Sequence, residues 1–126
     1  MIDEMLEVHL KGGRDAPARA RSALRCLNGS LAGLAEPVRL LVSELVTNSV
    51  KHGGAGPGHL IEVALISTRD RIRVEVADPG PGFEPLVRPH AFGGFGFVLV
   101  DQLADRWGVQ SGRGSRVWFE IDRPPA

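Results

Sequence analysis

The 126-residue sequence has no tyrosine, only two tryptophans and five phenylalanines, and a single cysteine. With Cys26 alone, no internal disulfide can form, which excludes a disulfide scaffold and points to a reducing compartment. Leu24 and Leu27 stand beside it, so a packed core thiol is expected. An excess of either charge is also missing. The 15 Lys and Arg balance 15 Asp and Glu, leaving no basic stripe for direct nucleic-acid binding and no polybasic tract for a membrane surface. Lysine itself is scarce, with only Lys11 and Lys51, which reads as composition bias towards arginine. No apolar run approaches the ~20 residues of a membrane span, and the acidic start Met1-Ile2-Asp3-Glu4 is no secretory leader. A cytoplasmic domain is expected, long enough for one hydrophobic core.

What is present has clear periodicity. Leu6 to Leu10 alternates apolar and polar, as an edge or half-buried strand does. Asp15, as a cap, and Pro17, in the first turn, predict a helix that turns Ala20, Leu24 and Leu27 inward and stops near Asn28-Gly29. A second helix is predicted from Glu36-Pro37 to His52-Gly53, with Val38, Leu41, Leu45 and Val46 as its apolar stripe. Leu60 to Ser67 reads as a largely buried strand. Thr68-Arg69-Asp70 reads as a hairpin connection, and Arg71 to Ala77 as a strand with Ile72, Val74 and Val76 on one face. Val98 to Leu103 fits a third helix, and Trp107 to Gln110 and Val117 to Ile121 fit two closing strands. Residues 1–126 read as one unit: an N-terminal strand and helix (1–35), a core (36–122) and a frayed tail (123–126). The element order predicts the α+β class, a two-layer α/β sandwich with helices on one face of a mixed sheet.

Three clusters carry chemistry. Glu44, Asn48 and His52 are spaced four apart, which lines them along one helix face beside the apolar stripe. A carboxylate, a carboxamide and an imidazole stacked this way suit a cleft wall, and His52 also suits a cap on the helix C-terminal carbonyls. Mg²⁺ takes few protein oxygens and retains water and phosphate oxygens, so one Asn carbonyl is a reasonable protein ligand. Next, Asp78-Pro79-Gly80-Pro81-Gly82 ends a strand with two glycines at alternate positions, which allow close backbone approach to a ligand. Read alone, this segment is an ordinary Asp-Pro-Gly turn. Finally, Gly93-Gly94-Phe95-Gly96 precedes a helix, where free N–H groups can hold phosphate. No Lys-Ser/Thr pair follows these glycines, which excludes a Walker P-loop.

In this order and spacing, the three clusters resemble the N, G1 and G2 boxes of the GHKL ATPases. That superfamily includes gyrase-type topoisomerases, certain chaperones and histidine kinases. The resemblance implies the Bergerat ATP-binding fold. It implies Mg²⁺ held by Asn48 on the triphosphate of ATP, Glu44 as general base, and phosphate contacts from Lys51 and His52. It further implies adenine recognition by Asp78, a pocket shaped by Gly80 and Gly82, and a lid between the glycine boxes. Gly94, Gly96 and Phe97 would hinge that lid, and its Arg88 could reach the γ-phosphate.

Residues 97–109 and 117–121 are similar to stand-alone anti-sigma-factor serine/threonine kinases, abundant in actinobacteria. That likeness implies an ATP-binding protein that sequesters a sigma factor and phosphorylates a serine of an antagonist (anti-anti-sigma) protein, often as a homodimer. Two other readings stand beside it: a nucleotide-gated binding module with little kinase activity, and a detached histidine-kinase catalytic domain. Two departures from the family pattern matter here. Phe95 and Phe97 replace a basic or small residue and a leucine. Arg116 occupies the register of a threonine that assists adenine recognition, so either Ser115 substitutes after a local shift or that contact is lost.

Overall fold

In the computed structural model, the described residues are 2–27, 29, 31, 33–51, 58–78, 95–112 and 114–124; side chains of 2, 3, 95–97, 111 and 112 are not described. The elements run β1 (Ile2–Lys11), α1 (Ala16–Leu24) with a 3₁₀ turn (Arg25–Leu27), α2 (Ala35–Lys51), β2 (Leu60–Thr68), β3 (Arg71–Asp78), α3 (Phe95–Leu103), β4 (Arg106–Gly112) and β5 (Gly114–Asp122). The expected α+β class is found. The sheet has the order β1-β2-β3-β5-β4. Its four pairings are all antiparallel, which corrects the mixed sheet expected from the sequence. The physical reason lies in the connections: β2–β3 and β4–β5 are tight hairpins, and no short crossover returns a strand in parallel.

Strand alternation defines the two sides of the sheet. Ile61, Val63 and Leu65 of β2, Ile72, Val74 and Val76 of β3, and Val117, Phe119 and Ile121 of β5 are all buried on the helix-facing side. β2 is largely buried, as expected, and alternates buried with half-buried positions because only one face of the sheet carries helices among the described residues. From the helices, Ala20, Leu24, Val38, Leu41, Val42, Leu45 and Val46 close this core. Leu31, in the connection between α1 and α2, is fully buried as well and reaches the core without any periodic signal.

Local chemistry sets the boundaries. Asp15 stands at the N-cap of α1, but its side chain makes no capping hydrogen bond; its backbone carbonyl accepts from Arg19 N–H at 3.0 Å. At the β2–β3 hairpin, Thr68 Oγ1 accepts from the backbone N–H of Asp70 and Arg71, at 3.3 and 3.1 Å. β1 is longer than its alternating core because it pairs with β2 from Ile2 to Lys11. Cys26 is exposed rather than packed, with its thiol donating to the Ala23 carbonyl at 3.1 Å. The 3₁₀ turn that follows α1 points Leu27 inward and rotates Cys26 outward.

The far side of the sheet has no helix cover among the described residues, and a charge ladder occupies it. Arg73 donates to Glu75 and Glu120, Arg116 donates to Glu75, and Arg106 donates to Glu120 and Asp122. Arg73 also lies over the Trp118 ring, 4.4 Å from its centroid. Trp118 reaches across to β4, where a Cβ on Gly108 would stand 2.8 Å from the indole nitrogen, so any side chain there would have to displace the indole.

Candidate functional site

The layer between helices and sheet is apolar except at a few points. Its buried polar residues are Ser43, Asn48, Ser49, Ser67, Asp78 and Ser115, so among the described residues Asp78 is the only buried charged side chain and Asn48 the only buried carboxamide. Burying a carboxylate or an amide is costly unless something polar meets it. Their positions follow from local periodicity. Asp78 continues the inward series Ile72, Val74, Val76, which puts its side chain on the helix-facing side with 1% exposure. Asn48 lies seven residues after Leu41, on the buried side of α2, with 5% exposure. α2 packs directly against β3 and α3.

Two atoms stand out in this layer. Asn48 Nδ2 and Asp78 Oδ2 are fully buried, and neither finds a hydrogen-bond partner among the described residues. Asp78 as a residue is engaged through other interactions. Asn48 Nδ2 is the more telling atom, because a buried amide donor left unmet costs about 1–3 kcal/mol. A polar ligand would satisfy it.

Ser115 resolves the register question raised by the sequence. Asp78 pairs with Ser115 across β3 and β5, and Ala77 pairs with Arg116. Ser115 is therefore on the same face as Asp78, with 6% exposure, while Arg116 turns to the far side and donates to Glu75 at 2.5 Å. No local shift is needed: the alternation of the strand puts the hydroxyl, not the guanidinium, beside Asp78.

The other predicted residues fall into three groups. Glu44 lies one turn before Asn48 and is half-buried, whereas Lys51 is exposed in the last turn of α2. Gly96 and Phe97 belong to the first turn of α3, which begins three residues earlier than the apolar pattern suggested. His52, Gly80, Gly82, Arg88 and Gly94 lie outside the described residues.

Two anchors were missed from sequence. Arg21 of α1 donates to Ser43 Oγ at 2.7 Å, locking α1 to α2 immediately before Glu44. Trp107 Nε1 donates to Asp101 at 3.1 Å, tying β4 to α3. Neither pair has a spacing that a sequence pattern would single out.

The donor set can be tested against a metal and a nucleotide. Among the described residues, no three His, Cys, Asp or Glu side chains converge into a metal site. Asn48 offers one neutral carbonyl oxygen, which fits Mg²⁺ only if phosphate and water supply the remaining ligands. The residues thus fit a metal brought by a nucleotide, not a metal held by protein alone. Asp78 and Ser115 offer an acceptor and a hydroxyl side by side, which matches an edge presenting a donor next to an acceptor, as adenine does.

Comparison with known proteins shows the family. Residues 13–121 match the histidine kinase-like ATPase domain family. The chain belongs to that family, which makes it an ATP-binding domain of the kinase-like kind. It is 32% identical over 91 residues to the sensor-type histidine kinase PrrB of Mycobacterium tuberculosis, covering 62% of this chain and 20% of that protein. The chain thus spans about a fifth of the length of that kinase. It is 30% identical over 94 residues to an anti-sigma F factor of Clostridium acetobutylicum, covering 65% of this chain and 66% of the relative. The histidine kinase domain of a blue-light activated kinase from Erythrobacter litoralis has the same fold, with a TM-score of 0.59 at 22% identity over 83% of this chain and 59% of that one.

Proposed function

We propose that this chain is an anti-sigma-factor-type protein kinase that binds Mg-ATP, phosphorylates a serine of an antagonist protein and sequesters a sigma factor when that antagonist is absent. The observation that carries the reading is the buried polar set Asn48, Asp78 and Ser115 in an otherwise apolar layer, in a chain of the histidine kinase-like ATPase family. Asp78 accepts from the exocyclic amine of adenine, and the Ser115 hydroxyl meets the neighbouring ring nitrogen. Guanine presents an acceptor where adenine has its amine, so the carboxylate disfavours it. Asn48 would hold Mg²⁺ that arrives with the nucleotide. Bound Mg²⁺ supplies charge neutralisation of the phosphoryl oxygens. Glu44 accepts the proton of the attacking serine hydroxyl, and Lys51 contacts phosphate. The family resemblance extends the nucleotide contacts to His52, Gly80, Gly82, Arg88, Gly94, Gly96 and Phe97. The protein acts in the cytoplasm; no described helix is long and apolar enough to cross a membrane.

The Ser115 hydroxyl beside Asp78 supports nucleotide binding, which this reading shares with a nucleotide-gated binding module of little kinase activity. The likeness to PrrB supports a second reading, a catalytic domain that phosphorylates a histidine on another protein. Incubating the protein with labelled Mg-ATP and candidate antagonists separates the readings. Acid-stable phosphoserine on an antagonist supports the first, acid-labile phosphohistidine the second. ATP-dependent partner binding without transfer would leave only the binding module.

A further inference from the structure

α3 is held lightly among the described residues. It has nine residues, too few to be stable alone, so packing must hold it. Of its described side chains only Val100 is fully buried; Leu99 is partly buried, and Val98 and Leu103 remain exposed. It packs against β4 and against α2, the helix that carries Asn48 with its unmet buried amide. Just beyond its C-terminal end the chain is fixed to β5. Asp105 N–H donates to the Glu120 carbonyl at 2.8 Å, and the Asp105 carboxylate accepts from Asp122 N–H at 2.6 Å.

A helix pinned at one end can still tilt, and can roll about its own axis. One side-chain contact opposes both motions. Trp107 pairs with Phe119 across β4 and β5, so the sheet fixes its backbone and turns the indole to the helix side. Its Nε1 donates to Asp101 Oδ1 at 3.1 Å. Asp101 stands about 100° round the helix from Val100, so the buried valine and the hydrogen bond hold α3 from two directions. The effect falls on the first turn. Gly96 lies about 7.5 Å along the axis from Asp101, so a tilt of about 10° moves its amide by about 1 Å. Hydrogen bonds weaken steeply over such a shift. The first N–H groups of a helix have no partner within it, and those of α3 belong to the nucleotide contacts proposed for this chain. Adenine recognition lies elsewhere, at Asp78 and Ser115 on β3 and β5. We infer that Asp101 and Trp107 are positioning residues for phosphate binding, holding the first turn of α3 where the phosphates of the nucleotide meet it, a role that rests on the nucleotide-binding reading.

The test measures the affinity of the full chain and its variants for Mg-ATP and for adenosine. Trp107→Phe keeps a ring and loses the donor, and Asp101→Ala loses the acceptor. Each should weaken Mg-ATP binding roughly three- to tenfold and leave adenosine binding unchanged. The double variant should be no weaker than either single one, because both remove the same bond. Asp101→Asn, whose amide keeps a carbonyl oxygen, should stay close to the parent. Without nucleotide, hydrogen exchange in Trp107→Phe should speed up in α3 and not in α2 or β3. Thermal melts establish that each variant folds. A fall in ATP and adenosine affinity together would make the pair merely structural and overturn the positioning role. So would parental Mg-ATP affinity in both single variants, losses that add in the double one, or α3 exchange at the parental rate. A parent that binds neither ATP nor adenosine would overturn the nucleotide site itself, and the role of this pair with it.

Discussion

Asp78 and Ser115 face each other in register across β3 and β5, buried on the helix-facing side, while Arg116 turns to the opposite face and pairs with Glu75. Asp78→Asn should therefore weaken ATP binding by about 1.5–3 kcal/mol, as for a hydrogen bond to a charged group, and Ser115→Ala by about 0.5–1.5 kcal/mol. Arg116→Ala should leave nucleotide affinity unchanged. Isothermal calorimetry with ATP and GTP checks all three. Unchanged ATP affinity in Asp78→Asn would take that residue out of the site.

Asn48→Ala should abolish the Mg²⁺ dependence of nucleotide binding. Without nucleotide, the variant should be close to the parent in stability or above it. It removes an unmet buried donor and puts the better helix former inside α2, and these gains offset the small cavity. Urea melts without nucleotide, set beside binding with and without Mg²⁺, measure both effects. A large loss of stability together with unchanged Mg-ATP binding would mean that Asn48 is merely structural.

Glu44→Gln keeps the shape of the side chain but cannot take a proton. ATP affinity should persist while phosphoryl transfer falls by roughly 10²–10⁴-fold. Sigma-factor binding, which needs surface rather than chemistry, should survive. Single-turnover transfer to the antagonist reads the rate, and a variant as fast as the parent would remove Glu44 as the base.

The far-side ladder predicts an acid limit to stability. Burial pushes the Glu75 carboxyl upward, but hydrogen bonds from Arg116 and Arg73 outweigh it and hold it below the usual range. Hydrogen bonds from Arg106 and Arg73 hold Glu120 low against its burial, and Arg106 does the same for Asp122. A carboxyl lowered on folding stabilises the folded state above its unfolded value and ceases to do so as pH falls through the folded one. Stability from these groups should thus hold from neutral pH down to about 4, then fall below it. Urea melts across that range test this. Glu120→Gln should flatten the acid limb, and a parent with no loss below pH 4 would contradict the ladder's role.

Much of this was legible in the chain itself. The apolar run of 60–67, period-two alternation in 71–77, helical stripes from Val38 to Val46, and the spacing of Asn48, Asp78 and the glycine clusters were enough for the layers and the family. Those signals are local, arising from which way successive side chains point. Other features depended on tertiary contacts. Which strands pair, and that all pair antiparallel, depends on how the hairpins and the β1 edge meet. Leu31 is buried and Cys26 exposed because of a 3₁₀ turn that leaves no periodic trace. Sequence reading left open whether Ser115 takes the place beside Asp78 or that contact is lost, because a cross-strand partner is fixed by register between distant segments and not by spacing within one. The structure put the serine inside, beside the one buried carboxylate described, and sent the arginine out to the charge ladder.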